Sequence, residues 1–301
     1  MIHPEIQYLN LINKIVRHGI KERTRNGKTK TIMGAIMKFP LNNNIIPIMT
    51  TKKMAWKTCF KELFWFINGE TDNNILKEQK VHIWDGNASR DFLNSRGLHK
   101  YEEGDLGPIY GYQWRNFDLP YRNSKHYKNL KNSSIYTRAT IEHADQLQNI
   151  IDCLKDEDKR NSRRLVMSAW NPNQINDMAL PPCHILSQFS VLNNKLYCNM
   201  YQRSADIGLG VPFNIASYSL LTILLAKHCD LQPGEFIHHI GNAHIYEDHE
   251  SALLEQVSRL PYVFPKCEIL NKYDTIEEYS MSDISIKEYK YHSKVNMSMV
   301  V

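Results

Sequence analysis

The chain has 301 residues, enough for one large domain or two ordinary ones with a sizeable buried core. Hydrophobic residues at 42% and charged residues at 23% lie near the average for folded proteins, which excludes a disordered or collagen-like chain. The net charge of +5 is spread out, with no run of five or six like charges, so a small anionic ligand accounts for it as well as nucleic acid does.

In chain order, apolar residues at helical spacing (Ile6, Leu9, Leu11, Ile12, Ile15, Val16) predict a helix over 6–16, with Gly19 as its stop. Residues 29–39 alternate toward strand character and run into an Asn-rich loop at 42–44. Residues 56–67 are apolar nearly all round, the pattern of a buried helix, yet Glu62 sits inside it. The stretch 123–140 is polar and reads as a featureless surface insertion. A helix follows over 143–154 and a strand over 164–170, ending at the Asn171-Pro172 turn. Two strands, 185–191 and 195–201, flank Asn193-Asn194 as a hairpin. A long helix over 214–228 and a short strand over 235–240 complete the frame. This order is mixed and not a strict β/α alternation, so the expected class is α+β in one domain, 1–301. No linker divides the chain.

The six cysteines form no CxxC pair and no zinc-type spacing, so they are expected to be reduced and mostly buried, with no metal site. The N-terminus lacks the apolar run of a signal peptide, and the most apolar stretch, 220–226, is too short to span a bilayer. The expectation is a soluble cytoplasmic protein with no membrane partner.

Two segments carry chemistry. In LPPCHI at 180–185, two prolines fix the backbone before Cys183 and His184; a thiolate is the better nucleophile and needs a positive or hydrogen-bonding setting. Alone, Cys183 fits structural burial better than catalysis. In YQRSADIGLGVPFN at 201–214, read as a polar loop, Arg203 and Ser204 suit a phosphate. Asn214, which donates and accepts, suits the amide edge of a pyrimidine. Glu62 on its apolar helix is costly to bury unless it is hydrogen-bonded or has a raised pKa, which makes it an acid-base candidate.

These motifs resemble the thymidylate synthase family, together with GDLGPIYGYQWR at 104–115, TTKKMAWK at 50–57, ELFWFINGET at 62–71, IWDGNASRDFL at 83–93, SRRLVMSAWNP at 162–172, HIY at 244–246 and KVNMSMVV at 294–301. The blocks keep one order from Tyr8 to Val301. The resemblance implies a mixed sheet packed by helices, one sheet face forming a homodimer interface. It implies dUMP as substrate and 5,10-methylenetetrahydrofolate as co-substrate, giving dTMP and dihydrofolate, with no nucleic acid required. Cys183 is then the nucleophile toward pyrimidine C6, with Glu62, Asn214, Tyr110, Trp84 and His184 as its catalytic companions. Arg25, Gln202, Arg203, Ser204, Asp206, His244 and Tyr246 are expected around dUMP, with Arg163 and Arg164 reaching the partner subunit's phosphate. Ile83, Trp84, Asn87, Asp206, Leu209, Gly210 and Phe213 are expected around the folate, under a C-terminal lid that includes Val300 and Val301.

Three departures from the family pattern stand out. The usual RTGTGT is ERTRNGKT at 22–29, where Arg23 or Arg25 takes the arginine's role; Arg25 is preferred because Asn26-Gly27 follows it as a turn. Asn242 replaces an acidic residue, and the insertion at 123–140 is long. Two other readings share the motifs: a hydroxymethylase, against which Trp84 argues by excluding water, and a nucleotide- or RNA-binding relative without turnover. Met1 and the complete span favour a free-standing enzyme over one cut from a reductase fusion.

Overall fold

The computed structural model describes residues 2–24, 27–131 and 144–298. Arg25, Val300 and Val301, assigned above to phosphate and lid, lie outside the described residues, as do 132–140 of the insertion. The first helix is α1 (Ile6–His18), which buries Leu9, Leu11, Ile12 and Ile15; Gly19 ends it, its amide donating to Ile15 O. A Cβ at Gly19 would sit 2.4 Å from that same oxygen, so only glycine fits the stop.

Next come β1 (Ile20–Thr24), β2 (Gly27–Pro40), α2 (Trp56–Ile67), α3 (Asn73–Glu78), α4 (Arg90–Ser95), α5 (Gly111–Asn116), α6 (Ser124–Lys131) and α7 (Gln146–Lys155). They are followed by β3 (Val166–Ser168), β4 (His184–Leu192), β5 (Lys195–Asp206), α8 (Gly210–His228), β6 (Gln232–Tyr246), α9 (Glu250–Val257), β7 (Lys266–Ile269) and β8 (Ile284–Lys287). Six strands form one sheet in the order β1-β2-β6-β5-β4-β3; β5 and β6 run parallel and the other neighbours antiparallel. The class is the expected α+β with a mixed sheet. Helix α8 is apolar on every side because it packs on β5 and β6 and against α2 at once. Its 19 residues are long and apolar enough to cross a membrane by length and composition, longer than the sequence estimate, and most of that apolar stretch is buried inside the fold.

Three sequence expectations need correction. Strand β6 has 15 residues and not six. Its two glycines look like breaks but mark close approaches: a Cβ at Gly241 would sit 2.7 Å from Tyr201 Oη, and one at Gly234 2.9 Å from Leu196 O. The motif at 201–206 is the end of β5 and not a loop. The insertion is not featureless at its start: α6 buries Tyr127, whose phenol oxygen accepts from Asn116 Nδ2 at 2.8 Å, and Lys131 pairs with Glu70 at 2.7 Å.

The topology gathers the chemical residues at one end of the sheet. The hairpin at Asn193-Asn194, both at positive φ, sends β5 back along β4. The start of β4 therefore meets the end of β5. The parallel β5–β6 pair brings the end of β6 alongside, with Ser204 opposite Asn242 and Asp206 opposite His244. Helix α8 begins four residues after β5 ends, so its first turn roofs the same spot.

Candidate active site

Cys183 lies immediately before β4, with its carbonyl accepting from Arg203 N at 2.8 Å. The Arg203 side chain is braced by the two prolines: Nε donates to Pro182 O at 2.9 Å and Nη2 to Pro181 O at 3.1 Å. Its guanidinium also lies 5.4 Å from the Trp170 ring centre. Burial pushes the Cys183 thiol up, while the nearby Arg203 charge and a hydrogen bond from Tyr110 pull it back. The Arg203 charge thus partly offsets the effect of burial on the thiol.

Tyr110 is the cysteine's other neighbour, and its phenol oxygen accepts from Cys183 N at 2.8 Å. Its backbone sits at φ 29°, ψ −94°, a strained conformation for a non-glycine residue and one that no sequence signal announced. The surrounding packing holds it there. Phe66 of α2 lies against its ring at 5.0 Å and His184 stacks on it at 4.2 Å. A Cβ on the adjacent Gly111 would come within 2.2 Å of Phe66 O, so that backbone approach requires glycine.

Glu62 takes a hydrogen bond from the Trp84 indole, Nε1 to Oε1 at 2.7 Å. Burial among apolar neighbours raises its pKa to about 7, against the partial relief of that bond. The carboxyl is therefore poised to give or take a proton near neutrality. His184, expected among the catalytic groups, stands beside the nucleophile against Tyr110. Burial lowers its pKa to about 3, and Nδ1 is engaged with Tyr218 Oη at 2.7 Å. It stays neutral and serves as a wall that supports Tyr110.

All of these face one cavity of about 510 Å³ lined by Glu62, Trp84, Tyr110, Cys183, Arg203 and Asn214, among others. Ile83, Leu209, Gly210 and Phe213 form its apolar side, and His184, Gln202, Ser204, Asp206, His244 and Tyr246 its polar side. Leu180 also lines it, a residue the motif reading passed over. Arg203, Ser204, His244 and Tyr246 are shared with an adjoining polar recess of about 370 Å³, where Glu22, Thr24, Thr29, Thr31 and Asn242 complete the wall. The two compartments suit a ligand with an apolar ring at one end and a hydrogen-bonding, anionic group at the other.

Gln202 lies under the cavity, its Oε1 accepting from His238 Nε2 at 2.9 Å, so that ring nitrogen carries the proton. Asn242 Oδ1 lies 3.0 Å from His244 Nδ1, so that nitrogen carries the proton and Nε2 remains an acceptor. Burial lowers the pKa of His244, and the Asp206 charge opposes this. The turn after β5 is held from several sides. Asp206 Oδ1 accepts from Gly208 N at 2.9 Å, Tyr8 donates to Ile207 O at 2.8 Å, and Lys52 Nζ donates to Gly208 O at 2.6 Å. Lys52 is buried, which lowers its pKa to about 8. Sequence reasoning quoted its motif without seeing that role, because nothing local marks a lysine as inward-facing.

Three expected site residues stand apart. Asn87 does not line the cavity, and Arg163 and Arg164 are exposed in the turn before β3, away from their own chain's cavity. All six cysteines are unpaired, four of them fully buried.

The family profile described as thymidylate synthase matches residues 6–301. A bifunctional dihydrofolate reductase-thymidylate synthase of Zea mays is 47% identical over 300 residues, 99% of this chain and 55% of that protein. The corresponding protein of Plasmodium berghei (strain Anka) is 46% identical over 298 residues, 99% of this chain and 48% of the relative. That of Leishmania amazonensis is 45% identical over 302 residues, 99% and 56% respectively. The chain thus spans about half the length of these curated relatives. With a profile match over almost every residue, and with the motif residues gathered around one two-compartment cavity, the chain belongs to the thymidylate synthase family.

Proposed function

We propose that this cavity carries the reductive methylation of dUMP to dTMP, with 5,10-methylenetetrahydrofolate as co-substrate and dihydrofolate as second product. One observation carries the reading: a cysteine backed by an arginine shares a cavity with a carboxyl that titrates near pH 7 and is capped by an indole. Cys183 Sγ adds to C6 of the pyrimidine, opening the C5–C6 double bond so that C5 becomes nucleophilic. The folate, when bound, supplies the one-carbon unit and a hydride. Loss of the C5 proton and elimination at C6 then restore the ring and release Sγ.

The chain's residues divide this work. Glu62 moves protons at the base, with Tyr110 beside the cysteine to orient it and to receive hydrogen bonds through solvent. Arg203 and Ser204 hold the phosphate; Arg203 Nη1 is the guanidinium nitrogen not engaged with the prolines' carbonyls. His244 Nε2 and Tyr246 accept from or donate to the ribose 3′-hydroxyl. Asn214, in the first turns of α8, reads the O4–N3 edge. Asp206 faces the pterin, and Ile83, Trp84, Leu209 and Phe213 form the apolar wall against the folate rings. Trp84 keeps water from the reacting carbon, which favours the hydride step over hydroxymethylation.

The far face of the sheet supports a homodimer: Ile36, Tyr201, Leu186 and Val166 share it by register and are apolar and exposed. In such a dimer the exposed Arg163 and Arg164 reach the partner's phosphate. The testing experiment is the absorbance of dihydrofolate formed from dUMP and methylenetetrahydrofolate. Equal yields of dTMP and dihydrofolate support the reading. Tetrahydrofolate without dihydrofolate points to hydroxymethylation, and no turnover points to a binder.

A further inference from the structure

His249 has no part in the chemistry above, yet it is buried where three pieces of the site meet. Its Nε2 lies 2.7 Å from the backbone carbonyl of Ser298, near the end of the chain. A carbonyl only accepts, so Nε2 carries the proton and donates. The ring stands edge-on to Tyr246, centres 5.6 Å apart, and Tyr246 in turn stands edge-on to His244 at 5.5 Å. On its other side, a Cβ built on Gly208 would meet His249 Nδ1 at 3.2 Å, Met297 Sδ at 3.0 Å and Asp206 Oδ1 at 3.4 Å. One imidazole therefore touches the ribose wall, the turn that holds Asp206, and the C-terminal segment.

The Nδ1 atom is buried and has no hydrogen-bond partner among the described residues. That arrangement costs stability, so the ring's place is set by what Nε2 holds and not by satisfaction of both nitrogens. The bond spans 49 residues of sequence and is the described hydrogen bond between this end of the chain and the body at Ser298. The turn it presses on is rigid, since Lys52, Tyr8 and Asp206 already fix residues 207–208.

We infer that His249 is a positioning residue: its Nε2–H bond to Ser298 O clamps the C-terminal segment onto the Gly208 turn and so fixes the folate side of the cavity. The kinetic consequence rests on the synthase reading above; the structural consequence does not. His249→Gln keeps a donor that reaches the Nε2 position, whereas His249→Asn is too short to do so. Both are polar and of smaller or similar size, so the comparison is not one of folding against unfolding.

The test has two arms. Under carboxypeptidase digestion of the full chain without ligands, release is expected to slow at Ser298 in the wild type and His249→Gln, and to run through Ser298 and Met297 about tenfold faster in His249→Asn. In steady-state kinetics, His249→Asn is expected to raise KM for methylenetetrahydrofolate by about tenfold while KM for dUMP moves by less than about threefold, with His249→Gln near wild type. Equal digestion of all three proteins overturns the clamp, as does equal impairment of the Gln and Asn variants. Inactivity of the wild type overturns the synthase reading instead and leaves the digestion result to decide the clamp.

Discussion

Replacing Glu62 with Gln removes a carboxyl that burial holds near neutrality, and the consequence can be worked out in both stability and rate. Its pKa rises from 4.5 to about 7 on folding, so between those values the folded chain keeps a proton that the unfolded chain gives up. A raised carboxyl pKa makes stability full below pH 4.5 and lowers it progressively as pH rises through about 7. The shift of two to three units corresponds to at most about 3 kcal/mol over that window. Glu62→Gln has no such titration, so urea unfolding of wild type and variant at intervals from pH 4.5 to 8 should give a difference that grows in the variant's favour by about 2–3 kcal/mol. The same variant should lose the kinetic limb near pH 7 and fall about 10²–10⁴-fold in kcat. If the two stability curves stay parallel across that range, Glu62 is not held protonated, and the acid-base assignment fails.

Other substitutions test the remaining walls. His184 is depressed to about 3, so its contribution is complete above the ordinary histidine pKa of 6.5 and is lost as pH falls toward 3. His184→Asn should lose less stability than wild type on acidification to pH 4, and should keep kcat within about tenfold; a loss as large as that of Glu62→Gln would restore a proton-transfer role to the imidazole. Asn214→Asp should shift the dUMP/dCMP ratio of kcat/KM toward dCMP by at least about tenfold, and an unchanged ratio would sink the base-reading assignment. Asn242→Asp places a carboxylate beside His244 Nδ1, which burial keeps low at present. The pH dependence of KM for dUMP should move upward by about one unit, and no movement would mean that the lost charge is immaterial.

Much of this was legible in the residues, and the remainder failed for identifiable reasons. Helix α2 was readable to the residue because its second half, Leu63 to Ile67, is wholly apolar and flanks Glu62, and the cost of burying that carboxyl pointed to its raised pKa. The Trp84 indole that bonds to it lies 22 residues away, and no local pattern could pair them. Strand β6 was cut short because Gly234 and Gly241 look like punctuation, when each admits a neighbour's backbone or ring. Helix α6 was missed because its sequence is polar; one buried tyrosine and the Lys131–Glu70 pair anchor it from outside. His184 was placed next to the nucleophile, but its depressed pKa was not legible, since it comes from burial among neighbours contributed by α2, the residue before α5, and α8. Motif order located the site; tertiary burial decided what each group in it does.

The central claim is the bond between Cys183 Sγ and pyrimidine C6, and trapping it is the most direct measurement. With 5-fluoro-dUMP and methylenetetrahydrofolate, C5 carries a fluorine that cannot leave as a proton does, so the covalent complex should stall before elimination. Mass analysis of the digested protein should find the nucleotide and folate on the peptide that contains Cys183, at about one per site, and nothing on Cys183→Ser. Label on another cysteine, or turnover of dUMP by Cys183→Ser at the wild-type rate, would contradict the account.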